Sequence, residues 1–244
     1  MTFNNLGLPQ SLLELLNKEN YKSAYPIQKE AIPIVLKGKD VLGIAQTGSG
    51  KTASYVLPIL STLNHKQRAK DRQVDVLVLV PTRELAEQVK DVFNLFEKGI
   101  SNTVKTMAIY GGVSINPQMK ALFGVSVLVA TPGRLLDLVN SNAVHFDKLQ
   151  TLVLDEADKL LNLGFQDEMN QIFALLPKKR QNLLFSATLN EKVEEINQIL
   201  LRDPELINVA PKEKNLDQIR QLAYAISEEK KGPFLRHLIK SENM

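Results

Sequence analysis

Residues 41–52 read VLGIAQTGSGKT, and the fold turns on how that stretch is understood. Val41–Ala45 carries no polar side chain, the pattern of a strand buried on both faces. The segment Ala45–Thr52 (AQTGSGKT) follows it and opens a stretch with helical spacing. A strand, a glycine-bearing loop and a helix in that order make a cradle for phosphate. Gly48 and Gly50 let consecutive N–H groups turn inward, and the helix N-terminus adds partial positive charge. Ala45, Gln46, Thr47 and Ser49 complete the loop, with Ala45 at the first-glycine position of the general pattern. Lys51 is expected to reach β- and γ-phosphate oxygens, and the Thr52 hydroxyl to hold Mg²⁺. A glycine-rich turn that merely happens to carry a lysine is the competing explanation, and it leaves the strand–loop–helix context unexplained.

Further apolar runs recur on both sides of this stretch: Val76–Val80, Thr106–Tyr110, Val125–Ala130, Leu152–Leu154, Leu183–Phe185 and, more weakly, Ile207–Val209. Amphipathic segments such as Glu84–Glu97 and Glu191–Leu200 lie between them. Strands alternating with helices predict an α/β fold, a parallel sheet covered by helices on both faces. The texture changes after Val209. Residues 210–215 (APKEKN) read as a linker, Ile219–Ile226 as a strand and Glu228–Ile239 as a helix. One strand and one helix cannot enclose a core, so residues 1–209 are expected to form one domain and residues 210–244 a linker and the opening of an incomplete second. A terminal helix docking back on the first domain is the other possibility.

The acidic residues at the end of Leu152–Leu154 form a second chemical cluster, Asp155-Glu156-Ala157-Asp158. Ligands of open α/β sheets bind at the carboxyl ends of strands, which is where Asp155 falls. Asp155 is the expected Mg²⁺ partner through a coordinated water, and Glu156 is placed to orient and deprotonate an attacking water. Acidic residues also suit the first turn of a helix, which accounts for one or two carboxylates but not for their place after a buried strand. Lys51 and Asp155 are expected to converge across adjacent strand ends on one Mg²⁺-bound triphosphate.

Composition narrows the remaining classes. With no cysteine there is no disulfide, thiolate metal site or cysteine nucleophile, and His65, His145 and His237 have no ligand-like spacing. Thirty basic against 27 acidic residues give a net charge of +3, so any basic footprint for nucleic acid must be local. The opening MTFNNLGLPQ is not a signal peptide and no apolar run is long enough to span a membrane, so the expectation is a soluble cytoplasmic protein without membrane contact. The charged stretch His65–Asp71 reads as a solvated loop.

The strings AQTGSGKT, PTRELA (Pro81–Ala86), Gly111-Gly112, TPGR (Thr131–Arg134), DEAD (Asp155–Asp158) and SAT (Ser186–Thr188) occur in the order and rough spacing of the DEAD-box RNA helicases, which the chain resembles over about residues 3 to 209. The resemblance implies a RecA-like P-loop NTPase domain that binds ATP and Mg²⁺. It identifies Asn20–Gln28 (NYKSAYPIQ) as the adenine-recognition segment, with Gln28 bonding the base edge, Tyr21 stacking and Phe3 supporting the pocket. An amide both donates and accepts, so it can select adenine. Asn20, Ala24 and Tyr25 stand where glycine, proline and threonine are commoner. Thr82 and Thr131 are good helix caps and Pro132 suits a first helical position. The family grips the RNA backbone with such segments, which here gives Pro81, Thr82, Arg83, Gly112, Thr131, Gly133 and Arg134. Contacts of that kind fix position without reading sequence.

Ser186 and Thr188 would bond Asp158 and couple nucleotide state to domain arrangement. The implied partners are RNA, ATP or ADP, and a second helicase domain in cis, in a monomer. Lacking that domain's arginines, the chain would bind nucleotide yet turn it over slowly. Two other classes stay open: a different P-loop ATPase such as a DNA translocase, and a non-enzymatic module that binds ATP and a protein.

Overall fold

The computed structural model describes residues 2–64, 71–101, 104–209 and 222–241. Among the described residues seven strands form one all-parallel sheet: β1 (Val41–Ile44), β2 (Val76–Leu79), β3 (Thr106–Ile109), β4 (Val127–Ala130), β5 (Thr151–Leu154), β6 (Gln181–Ser186) and β7 (Glu205–Asn208). Their order across the sheet is β3-β4-β2-β5-β6-β1-β7. The apolar runs of the sequence fall on these strands with shifts of one to two residues at their ends. Two differ more. The run starting at Val125 pairs only from Val127, where β4 meets β2 and β3 together, and β6 begins two residues before Leu183, at a Gln181 that pairs with Thr151.

The strands are short and apolar because both faces are covered, and their side chains sort by parity. Val76 and Val78 enter one core cluster, and Leu77 and Leu79 enter the other. Each such fully buried aliphatic side chain contributes about 1.5–3 kcal/mol relative to an exposed one. Four helices cover the first face: α1 (Gln10–Lys18), α2 (Pro26–Leu36), α3 (Lys51–Leu63) and α4 (Arg83–Phe96). The second is covered by α5 (Ile115–Ala121), α6 (Pro132–Asn140), α7 (Ala157–Asn162), α8 (Gln166–Leu175) and α9 (Glu191–Leu200). β7 pairs with β1 alone, so it alternates buried and exposed residues and gives the weakest apolar signal of the set.

Because every strand runs the same way, the segments that follow them emerge at one edge of the sheet. Ala45 follows β1, Val80-Pro81 follows β2, Tyr110-Gly111 follows β3, Thr131 follows β4 and Asp155 follows β5, with Ser186 closing β6. Six separated sequence strings are thereby gathered on the carboxyl edge.

Contacts divide the chain into two units, Met1–Ala210 and Pro211–Met244. In the second unit the described residues comprise an irregular stretch, a 3₁₀ turn (Glu228–Lys230) and α10 (Lys231–Ser241), with Tyr224 edge-on to Phe234, their centroids 4.9 Å apart. The helix expected at Glu228–Ile239 forms. The strand expected at Ile219–Ile226 does not, over its described residues 222–226, because a strand requires a neighbour to receive its backbone bonds and none lies among the described residues of that unit. The linker expected at 210–215 and most of the loop expected at His65–Asp71 lie outside the described residues. Among the described residues, no helix is long and apolar enough to cross a membrane.

Candidate active site

Gly48 and Gly50 both adopt left-handed backbone, at φ +78° and +87°, and Gly50 caps the N-terminus of α3. Lys51, the first residue of that helix, is 7% exposed, and its Nζ donates to the Ala45 carbonyl oxygen at 2.7 Å. Burial pushes its pKa down, while the charges of Asp155, Asp158 and Glu156 oppose that fall. The lysine of the loop and the carboxylates after β5 therefore share one electrostatic environment. They do so without adjacent strands, contrary to the expectation from sequence: β6 lies between β1 and β5. The span is bridged from the helix rather than from the sheet. Ser49 Oγ is buried in the same loop with no hydrogen-bond partner.

Asp155 is 2% exposed, and burial raises its carboxyl pKa against the pull of Tyr55 and Lys51. Its two oxygens accept one bond each, Oδ2 from the Tyr55 hydroxyl at 2.8 Å and Oδ1 from the Glu156 N–H at 2.9 Å. Glu156 sits at φ +52°, ψ +49°, an uncommon conformation for a residue with a Cβ, and its carboxylate pairs with Lys159 Nζ at 2.9 Å. Asp158 faces the end of β6. Its Oδ2 accepts from the Thr188 N–H at 3.2 Å and the Thr188 hydroxyl at 3.0 Å, and its own N–H donates to Ser186 Oγ at 3.3 Å. Asp158, Ser186 and Thr188 thus form one hydrogen-bonded group.

A pocket of about 530 Å³ adjoins the loop, lined in part by Asn20, Tyr21, Tyr25, Gln28, Gly50 and Thr52. Gln28 is buried, not solvated: its Oε1 accepts from Tyr25 N–H at 2.9 Å and its Nε2 donates to the Gly50 carbonyl at 3.1 Å. Those bonds use one acceptor site and one donor of the amide, leaving a second of each. Tyr21 packs edge-on against Phe96, with centroids 5.3 Å apart. Phe3 is buried in the core beneath rather than lining the pocket. The unusual Asn20 takes φ +63°, a conformation that asparagine tolerates better than most residues with a Cβ, so it can stand in for glycine there.

The remaining sequence-derived residues lie along the same edge, less closely tied. Thr82 caps α4, its hydroxyl accepting from Leu85 N–H at 3.2 Å, and Arg83 pairs with Glu84 at 2.6 Å on the surface. Thr131 occupies the N-cap position of α6 but its side chain makes no capping bond; Pro132 fills the first turn as expected. Gly112 has φ +81°, and a Cβ there or at Gly133 would meet nothing within 4 Å. Arg134 is not a free fork. Its side chain is 9% exposed, donates from Nη2 to the Val113 carbonyl at 2.9 Å and pairs through Nε with Asp137 Oδ2 at 3.4 Å, while Nη1 is buried without a hydrogen-bond partner.

Tyr55 is the residue the sequence did not single out. It sits four positions after Lys51 on the same helix face, a hydroxyl-bearing ring inside the apolar run ASYVLPIL, and that mismatch was the available signal. No group of three histidine, aspartate or glutamate side chains able to hold a metal gathers among the described residues. A cation here would have the Thr52 hydroxyl and the Asp155 carboxylate, with water and phosphate oxygens for the rest, which is the ligand set Mg²⁺ accepts.

An all-parallel sheet with a glycine loop after β1 and a carboxylate after β5 defines the RecA-like α/β class. The model of the DEAD/DEAH box helicase family matches residues 25–196, and the chain belongs to that family. It is 42% identical over 240 residues to the DEAD-box ATP-dependent RNA helicase CshA of Streptococcus pneumoniae, covering 98% of this chain and 45% of that protein. It is 38% identical over 242 residues to the DEAD-box ATP-dependent RNA helicase RhpA of Helicobacter pylori, covering 99% and 48%. The crystal structure of a DEAD box protein from the hyperthermophile Methanococcus jannaschii matches with a TM-score of 0.78 at 31% identity, over 99% of this chain and 64% of that one. The chain spans about half the length of the curated relatives it matches.

Proposed function

We propose that the chain is the ATP-binding portion of an ATP-dependent RNA helicase, with residues 1–209 forming the ATP-binding domain and residues 210–244 the linker and opening of the second helicase domain. The single observation that carries this reading is the placement of two buried charged side chains, Lys51 after β1 and Asp155 after β5, at the carboxyl edge of the sheet. The names of the relatives, DEAD-box ATP-dependent RNA helicases, support the substrate class.

In this reading the loop from Ala45 through Gln46, Thr47, Gly48, Ser49 and Gly50 wraps the phosphates with its N–H groups. Lys51 exchanges the Ala45 carbonyl for β- and γ-phosphate oxygens. Thr52 and Asp155 hold Mg²⁺, which when bound neutralises charge on the phosphate oxygens. Glu156 leaves Lys159 and accepts a proton from the attacking water at a carboxylate oxygen. The free donor and acceptor of Gln28 read the adenine edge, Tyr21 stacks on the ring, and Phe3 supports both from below. Pro81, Thr82, Arg83, Gly112, Thr131, Gly133 and Arg134 hold RNA by its backbone, which requires no base sequence. For Arg134 the buried Nη1, which has no hydrogen-bond partner, supports that role, provided the Val113 loop shifts to admit a phosphate. Asp158, Ser186 and Thr188 pass the nucleotide state to the second domain.

Arginines of the second domain would stabilise charge on the transferred phosphoryl group, a contribution of about 10³–10⁵ in rate. Residues 1–244 are therefore expected to bind a fluorescent ATP analogue in the presence of Mg²⁺ while hydrolysing ATP very slowly. In a helicase containing both domains, RNA rather than DNA should stimulate hydrolysis, and Glu156→Gln should abolish it while keeping ATP binding. Failure to bind nucleotide, or full RNA-stimulated turnover by residues 1–244 alone, would overturn the reading.

A further inference from the structure

The phenol of Tyr55 occupies an unusual place. It is fully buried on α3, and its ring lies against Phe185 of β6, centroids 5.4 Å apart and planes tilted by 40°. From there the hydroxyl passes over β6 and donates to Asp155 Oδ2 at the end of β5. Thr52 lies three residues earlier on the same helix. One buried hydroxyl thus ties Asp155 to the helix that carries Thr52, the two residues assigned to the metal.

Packing alone does not account for it. A phenylalanine would fill the same space against Phe185 with no polar atom to satisfy. A hydroxyl transferred into an apolar interior is unfavourable unless it is bonded, so its retention in this run is balanced by the bond it makes to Asp155. Asp155 gains from that bond as well. β1 and β5 are not neighbours, and strands lie roughly 4.8 Å apart, so backbone pairing cannot fix Thr52 relative to Asp155 more closely than two strand spacings. Of the bonds on Asp155, the one from Glu156 N–H is local to the same turn, whereas the one from Tyr55 crosses to the phosphate-loop helix.

We propose that Tyr55 is a positioning residue for Mg²⁺: its hydroxyl ties Asp155 to the helix that carries Thr52, across β6, and holds the two in register before the metal-bound nucleotide arrives. This rests on the reading of Thr52 and Asp155 as the metal residues. Oδ2 keeps a second lone pair for a metal-bound water while the first is occupied by the phenol. Partners that orient ligating groups in this way typically contribute a 10–100-fold factor in metal affinity.

The test uses residues 1–244 and the variant Tyr55→Phe, with a fluorescent ATP analogue as probe and Mg²⁺ as titrant. Half-saturating Mg²⁺ should rise about tenfold in Y55F, the lower end of that range because the metal is reached through water. Affinity for the analogue in EDTA should stay within about twofold of wild type. Phe185→Leu serves as the second variant, since it loosens the packing beneath the ring and keeps the hydroxyl: its melting temperature should fall in EDTA while its Mg²⁺ midpoint moves by less than about twofold. If Y55F melts lower but titrates with Mg²⁺ as wild type does, or if both variants shift the Mg²⁺ midpoint alike, Tyr55 is a packing residue and the inference is overturned. Should the wild type bind the analogue without any response to Mg²⁺, the assignment of Thr52 and Asp155 fails first, and the inference with it.

Discussion

Replacing Gly50 with alanine should damage the nucleotide pocket far more than the same change at Gly48, two residues earlier. Both positions have positive φ, so each substitution carries a left-handed strain of about 1–2 kcal/mol. At Gly48 nothing lies within 4 Å of the new Cβ, and the strain is the whole effect. At Gly50 the Cβ would stand 2.4 Å from Gln28 Nε2 and 2.9 Å from Tyr25 Cδ2. Gln28 cannot simply swing aside, because its Oε1 holds the Tyr25 N–H and its Nε2 holds the Gly50 carbonyl in a buried site. Displacing it leaves buried amide groups unpaired, about 1–3 kcal/mol more. The totals are about 1.5 kcal/mol for G48A and about 3.5 kcal/mol for G50A. At roughly 2–4 °C per kcal/mol for a chain of this size, thermal midpoints should fall by about 4 °C and about 10 °C. Competition of ATP and GTP against a fluorescent nucleotide supplies the second readout: G50A should lose its preference for ATP, and G48A should weaken both nucleotides together. Equal thermal shifts with the preference intact in G50A would refute the packing argument that links Gln28 to the loop.

Two further outcomes follow from the same geometry. Burial raises the Asp155 carboxyl, so the folded protein holds that proton to higher pH than the unfolded chain does, and stability from this group falls as the pH rises from about 4. Asp155→Asn removes the titration, so the urea-melt stability of D155N relative to wild type should grow between about pH 4 and pH 7; a constant difference would contradict the assignment. Thr82→Ala should destabilise by about 1 kcal/mol because it removes a formed cap, whereas Thr131→Ala, with no capping bond to lose, should change chemical-denaturation stability by less than about 0.5 kcal/mol.

The sheet was legible because its strands are buried on both faces, and a run such as VLVLV has few other ways to be satisfied. The weak signal at Ile207–Val209 marks the edge strand β7, whose Glu205, Leu206 and Asn208 are not buried. The site was legible in its residue types, since a glycine loop with Lys51 and a carboxylate at a strand end keep their meaning in isolation. Relations between distant residues were not. Strand order is decided by crossovers, so nothing in residues 41–155 announced that β6 would separate Lys51 from Asp155, or that Tyr55 would reach over it. Arg134 reads as a free phosphate-binding fork, but Val113 and Asp137 draw it inward through partners 21 and three residues away. Thr131 has the composition of a cap without the bond, because capping depends on a side-chain rotamer as well as on residue type. Asn20, by contrast, looked like a departure at a glycine position and proves compatible with the backbone it occupies.

The most direct test of the account asks whether Lys51 and Asp155 serve one ligand. A double-mutant cycle of Lys51→Ala and Asp155→Asn, read as the affinity of residues 1–244 for a fluorescent ATP analogue with Mg²⁺, measures their coupling. The account predicts strong non-additivity, the double variant binding about as weakly as either single one. Losses that simply add would mean that the two side chains act on separate sites.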